Sequence, residues 1–341
     1  MKRILTGDNT TGNLHLGHFV GSIKNRVRHQ NEYETFIILA DMHALAYPKY
    51  VTKDINLGEI SLQVLKDNLS CGLDPEKVYF FNESSVPEIY EIYTLFSSFV
   101  THSQALRNPT IKEEIVDKNL GDTYSMGFLN FPTLMAADIL SVQADLVPVG
   151  EDQKPMLELA RDIVRKMNHE YATGLKFPEV EMSDIPRLVG LDGKVKMTKS
   201  IGNCIFLTDP SELVREKIMK MYTDPTRLRA TDPGKVEGNP VFIYHDAFNE
   251  NFDEVDDLKE RYLKGKVGDV EVKEKLFIAI EKVLEPIRER RVNFEDNDYL
   301  LQILHHGSKR TREEAQKTLK QIKESMNLLH FEDKHFELVE N

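Results

Sequence analysis

The chain has 341 residues, 40% of them hydrophobic, and its 44 Lys and Arg against 56 Asp and Glu leave a net charge of −12. That length suggests roughly two domains with ample chain for a core, and the acidic balance excludes whole-molecule attraction to nucleic acid or an anionic membrane. Cys71 and Cys204 lie far apart without Cys-x-x-Cys spacing, which excludes a disulfide scaffold and a Cys-rich zinc site and suits free thiols in a reducing cytosol. Residues 1–7 lack the apolar core of a signal peptide, and no stretch approaches ~18 uninterrupted apolar residues, so a soluble cytoplasmic protein is expected.

Short apolar runs alternate with longer amphipathic ones through the first two hundred residues, the pattern of a parallel α/β sheet. A strand is expected at 4–6, a helix from 14 to about 30, and a strand at 36–40, whose continuous Phe-Ile-Ile-Leu-Ala run suits burial on both faces. A helix follows over 52–70, with Thr52 as its cap and Cys71-Gly72 as its end. A third strand at 78–81 and a helix after Pro87 complete βαβαβ, the first half of a doubly wound fold. Residues 106–125 read as an irregular insertion or the tail of a helical excursion. Further on come a helix at 127–141, a strand at 145–149, a helix from 151 to about 167, and loops around a short strand over 170–208. From Pro210 the pattern is helical and charged, which places a domain boundary near 208: residues 1–208 an α/β Rossmann-type doubly wound parallel-sheet domain, 209–341 a helical domain.

Three constellations can carry chemistry. Gly7-Asp8-Asn9-Thr10-Thr11-Gly12 leads from the first strand into His15-Leu16-Gly17-His18 at the start of the first helix. Free N–H groups and the helix dipole favour an anion at that place. His15 and His18, three apart, can share one side of a turn and stabilise charge building on a phosphate, while Gly17 lets a flat base lie against the backbone. Two solvent-facing histidines is the plainer alternative; a zinc pair would need a third ligand nearby. Lys194-Val195-Lys196-Met197-Thr198-Lys199-Ser200, between Gly193 and Gly202, is either a loop that closes over a polyphosphate or a solvated basic loop. Asp138 interrupts the apolar run Met135-Ala136-Ala137-Asp138-Ile139-Leu140. A carboxylate there needs a donor, either from a ligand or from an Arg or N–H elsewhere in the protein. Gly150-Glu151-Asp152-Gln153 again follows a strand and begins a helix.

Together these stretches resemble class I aminoacyl-tRNA synthetases. His15-Leu16-Gly17-His18 is similar to the HIGH signature and Lys196-Met197-Thr198-Lys199-Ser200 to the KMSKS loop. Within the class, the run from Met135 to Leu140 and Val147-Pro148-Val149-Gly150-Glu151-Asp152-Gln153-Lys154 resemble the tryptophanyl family from Arg3 through the helical C-terminal part. The resemblance implies a ligase that activates L-tryptophan with ATP and transfers it to tRNA(Trp), with Mg2+ carried by ATP and no dedicated protein metal site. It puts Asn9, Thr10, Thr11, Gly17, His18, Gly150, Glu151, Asp152, Val189, Lys196, Met197, Thr198, Lys199 and Ser200 at ATP. His15, His18, Lys196 and Lys199 would stabilise the reacting phosphates. Asp138 would accept the indole N–H, with Met135, His43 and Val149 around the ring and Gln153 at the α-amino end. A homodimer and anticodon reading by the C-terminal helices are also implied, with no role for DNA or a membrane.

The chain departs from many relatives in having Asn9-Thr10 for Gln-Pro, Phe131 for Tyr, and Thr198 for the signature serine. A tyrosyl enzyme, a small nucleotidyltransferase and a non-catalytic tRNA-binding or regulatory paralogue are the rival readings. Lys24-Asn25-Arg26-Val27-Arg28, Arg288-Glu289-Arg290-Arg291 and Lys309-Arg310-Thr311-Arg312 are basic clusters that either meet phosphate or are ordinary helix faces.

Overall fold

The computed structural model describes residues 1–121, 123–150, 153–182, 188–193, 197, 201–225, 227, 229 and 231–329. Five parallel strands, β1 (Arg3–Asn9), β2 (Glu34–Ala40), β3 (Val78–Asn82), β4 (Leu146–Val149) and β5 (Glu179–Met182), form one sheet in the order β3-β2-β1-β4-β5. The chain winds outward from β1 through β2 to β3, then returns to β1's other side for β4. The crevice between β1 and β4 is therefore the switch point at which doubly wound sheets bind ligands.

The helices are α1 (Leu16–His18) and α2 (Lys24–His29), joined by the π-helical turn Phe19–Ile23, then α3 (Asp41–Ala44), α4 (Leu57–Ser70), α5 (Glu88–Ser97), α6 (His102–Arg107), α7 (Pro109–Asp117), α8 (Met126–Ser141) and α9 (Lys154–Tyr171). Beyond the sheet follow α10 (Ser211–Met219), α11 (Pro240–Phe248), α12 (Phe252–Leu263), α13 (Asp269–Arg291) and α14 (Asn297–Ser325).

Alternation along β2 divides the core. Ile37 and Leu39 enter one apolar cluster, which continues into α10 to α14; Phe36 and Ile38 enter another, shared with α5, α8 and α9. Both faces of β2 are covered, as its continuous apolar run requires. The edge strand β3 is covered by α14, which approaches so closely that a Cβ on Gly307 would stand 1.9 Å from the Phe80 carbonyl oxygen.

Two expectations need correction. The cap of α4 is Asn56, whose Oδ1 accepts from Glu59 N at 3.1 Å; Thr52 lies before the helix and bonds Asp54 instead. Both residue types can cap, and only the chain path decides which one meets the first turn. Residues 106–125 are not irregular throughout: α7 starts with Pro109 behind Asn108, whose Oδ1 accepts from Thr110 N at 3.0 Å, and buries Ile111. The helix expected from 151 is α9, described from Lys154; Glu151 and Asp152 lie outside the described residues.

Candidate active site

The residues expected to meet phosphate are built on the end of β1. Asp8 is buried there and accepts from Arg26 Nη1 at 2.5 Å and Asn68 Nδ2 at 2.9 Å, while Arg26 also donates to the Gly7 carbonyl at 2.6 Å. Burial alone would raise the Asp8 pKa, but the Arg26 charge outweighs it and holds the carboxyl below its ordinary value. The turn after Asn9 passes Gly12 at a φ of +113° and is pinned by Leu14 N to Asp67 Oδ2 at 2.8 Å.

His15 then caps α1. Its Nδ1 accepts from Gly17 N at 3.1 Å, and His18 Nδ1 accepts from His15 N at 3.2 Å, with the two rings 3.9 Å apart. This reciprocal capping box has a chemical consequence. In a neutral ring whose Nδ1 accepts, the proton sits on Nε2, so each imidazole presents Nε2–H as its donor. Gly17 makes the pairing possible: a Cβ there would lie 2.9 Å from the His15 ring.

Pairing also brings the lysine loop's flank to these histidines. Leu16 N donates to Ile205 O and Leu207 N to Leu14 O, each at 3.0 Å, and His15 bridges antiparallel to Phe206. Met197 is buried, its Sδ 3.4 Å from where a Cβ on Gly17 would be. Lys194, Val195, Lys196, Thr198, Lys199 and Ser200 lie outside the described residues. Val189 stands near the loop's start, its carbonyl accepting from Tyr244 Oη at 2.8 Å. Gly150 closes β4 on the other side of the crevice and accepts from Gln153 N at 3.0 Å.

The residues expected to meet the amino acid lie on α8 and at the ends of β2 and β4. Asp138 is 5% exposed, and its Oδ1 has no hydrogen-bond partner, so neither an Arg nor a backbone N–H satisfies that atom. Burial, then the charges of Glu83 and Asp41, raise its pKa well above the ordinary value. Met135, one turn before it, and Val149 are half-buried against the same apolar cluster. His43 stacks on Tyr47 at 6.2 Å and lies 4.6 Å from the Phe131 ring; burial lowers its pKa to about 4, so it is neutral. Phe131 is 2% exposed among Phe128 and His43. Two hydrogen bonds join the halves: Thr10 Oγ1 to Ala40 O at 3.4 Å and Tyr50 Oη to Thr11 O at 3.1 Å. Asn9, at the junction, has a buried Oδ1 without a partner.

Several site residues escaped the reading of the sequence. Asp41 and Glu83 follow β2 and β3 directly, at the same carboxyl edge as the stretches after β1 and β4. Applying the strand-end rule to all four strands would have found them. Glu114 and Lys118 come from the stretch taken as irregular: Tyr47 Oη donates to Glu114 at 2.7 Å, and Lys118 Nζ lies 3.2 Å over the Tyr47 ring. No local signal marks that pairing, which joins residues 67 apart in sequence.

The chain is similar to known proteins along almost its whole length. The family model for class I tRNA synthetases (W and Y) matches residues 1–285. The chain is 47% identical over 334 residues to a tryptophan–tRNA ligase of Borreliella burgdorferi, covering 96% of this chain and 95% of that protein. A ligase of the same description from Treponema pallidum is 46% identical over 329 residues, covering 96% and 97%. The solved tryptophanyl-tRNA synthetase of Campylobacter jejuni, complexed with ADP and tryptophan, has a TM-score of 0.81 at 32% identity and covers 96% of this chain and 100% of that one.

Proposed function

The chain belongs to the class I tRNA synthetases of the tryptophan and tyrosine group, and we infer from that membership that it activates L-tryptophan with ATP and passes it to tRNA(Trp). The observation that carries the choice of amino acid is the buried, unpartnered Oδ1 of Asp138, which an indole N–H would satisfy. A site whose acceptor is left unpaired by the wrong ligand rejects it strongly, by roughly 10⁴-fold where such sites have been measured.

In the first step the tryptophan carboxylate attacks the α-phosphorus, a new P–O bond forms, and pyrophosphate leaves. The protein supplies no nucleophile; it positions the reactants and meets developing charge. We assign the Nε2–H groups of His15 and His18 to the α-phosphate, where their tautomers, fixed through Nδ1, make them donors. Lys196 and Lys199 hold the departing pyrophosphate. Asn9, Thr10, Thr11, Gly17, Gly150, Glu151, Asp152, Val189, Met197, Thr198 and Ser200 line the nucleotide, which brings Mg2+ with it. Met135, His43 and Val149 surround the indole and Gln153 meets the α-amino group. In the second step the terminal 2′-hydroxyl of tRNA attacks the activated carbonyl and AMP leaves.

The proposal extends to residues 1–208 as catalytic domain and 209–341 as the anticodon-binding part, to a homodimer, and to the cytoplasm, where ribosomes consume charged tRNA. Two buried free thiols, Cys71 and Cys204, suit a reducing compartment. Among the described residues no helix is long and apolar enough to cross a membrane.

Pyrophosphate exchange into ATP, run with tryptophan and with tyrosine, tests the reading. Exchange with tryptophan alone is expected. A preference for tyrosine would reassign the pocket, and no exchange with either would make the chain a non-catalytic relative.

A further inference from the structure

Residues 204–209 lead into α10 and are held from two sides. On one side, Ile205 and Leu207 bond to Leu16 and Leu14, the neighbours of His15 in the chain, and leave Phe206 opposite His15 itself. On the other side a single ammonium closes the turn. Lys217, on α10, donates from Nζ to Asp209 Oδ2 at 2.5 Å and to the Cys204 carbonyl at 3.0 Å, and lies 5.1 Å from the centre of the Phe206 ring. The same Asp209 Oδ2 accepts from Phe206 N at 2.9 Å, and Asp209 is 7% exposed. Arg288, on α13, donates to the Asp209 carbonyl at 3.1 Å, while its own charge is paired with Glu281. Lys217 is thus the cation that meets the buried Asp209 carboxylate.

We propose that Lys217 is a positioning residue for adenylate formation: its ion pair with Asp209 holds residues 204–209 against the histidine turn and so keeps His15 at the α-phosphate. The proposal rests on the assignment of His15 to that phosphate. A buried carboxylate stripped of its cation is costly, and the cost is relieved when the carboxylate turns out to water. Asp209 cannot turn out while its Oδ2 holds Phe206 N, so the turn would open and release its bonds to Leu14 and Leu16. The bond from Gly17 N sets the tilt of the His15 ring, and the pairing with residues 204–209 sets where its backbone stands. A displacement of about 1 Å in a group that meets the reacting atoms costs on the order of 100-fold in rate. The residues assigned to tryptophan belong to α8 and the ends of β2 and β4, so tryptophan binding should not follow.

The chain contains no Trp, so the emission of bound tryptophan counts competent sites and gives its own affinity. Pyrophosphate exchange is measured at saturating ATP for the wild type, Lys217→Met, Asp209→Asn, the variant carrying both, and His15→Asn. Lys217→Met keeps the length of the stem without its charge. It is expected to lose about 10- to 100-fold in kcat per competent site, with tryptophan KM and affinity within about twofold of wild type. An unchanged kcat, or an equal loss in tryptophan affinity, overturns the proposal. Because the loss comes from a stranded carboxylate, removing that charge as well should not deepen it, and the double variant should keep at least the kcat of Lys217→Met. A double variant slower than Lys217→Met means that the two side chains act independently, which refutes the strut. His15→Asn is expected to lose about 100-fold or more in kcat. Wild-type exchange by that variant would remove His15 from the α-phosphate, a failure of the assignment that is read separately from that of Lys217.

Discussion

Gly17 shows how one missing side chain organises the proposed phosphate site. The His15 ring occupies the space a Cβ would need, at 2.9 Å, and that ring position lets Nδ1 accept from Gly17 N. Gly17→Ala should push the imidazole away, lose the tautomer control and lower pyrophosphate exchange by about 100-fold, the scale of losing one preorganised donor to a developing charge. Tryptophan binding, read by its own fluorescence, should change little, since the proposed indole acceptor lies on α8. Asp138→Ala should do the reverse. Removing the acceptor should raise the tryptophan KM by about 10- to 100-fold, the cost of leaving a buried N–H unpaired, and narrow the preference over tyrosine in the exchange assay.

At the scale of elements, the sheet's carboxyl edge does the assembling. β1 delivers Asn9 and the histidine turn, β2 delivers Asp41 and His43, β3 delivers Glu83, and β4 delivers Gly150, because parallel strands all end on one side. Asn68 and Asp67, on α4, reach Asp8 and Leu14 N, so this helix braces the turn from behind. Its own start depends on Asn56. Asn56→Ala should lower stability by about 1 kcal/mol, read as a shifted urea midpoint at constant m, with exchange activity per folded molecule preserved.

At the scale of the molecule, α14 returns from the helical C-terminal part to the sheet. Arg310 pairs with Glu34 and Glu314 at 2.5 Å each, Arg3 with Glu314 at 2.7 Å, and Arg312 with Glu88 at 2.9 Å. Arg26, Arg288 and Arg291 are likewise paired with Asp8, Glu281 and Asp67. Much of the charge in the three basic clusters thus holds the protein together. The pH dependence of stability follows with two signs. Burial would raise Glu314, but Lys317, Arg310 and Arg3 prevail and hold it at about 2 against an ordinary 4.5; its contribution is present above 4.5 and lost as pH falls towards 2. Glu83 is raised from 4.5 to about 8, so its contribution is present below 4.5 and lost as pH rises through 8. Thermal unfolding followed against pH should show both limbs, and Glu83→Gln should flatten the alkaline limb while leaving the acid one.

The sequence by itself determined the alternation of strands and helices, the histidine turn after the first strand and the acid inside an apolar helix, since periodicity and turn chemistry act over a few residues. It misjudged the cap of α4 and the stretch around α7, where several local solutions compete. Only the tertiary structure decided that Asp138 Oδ1 is buried without a hydrogen-bond partner, that the charges of Glu83 and Asp41 act on that carboxyl, and that most arginines of the basic clusters are paired. Each of those facts depends on which distant residues the sheet brings together, and the strength of a buried charge is set by neighbours that no local pattern names.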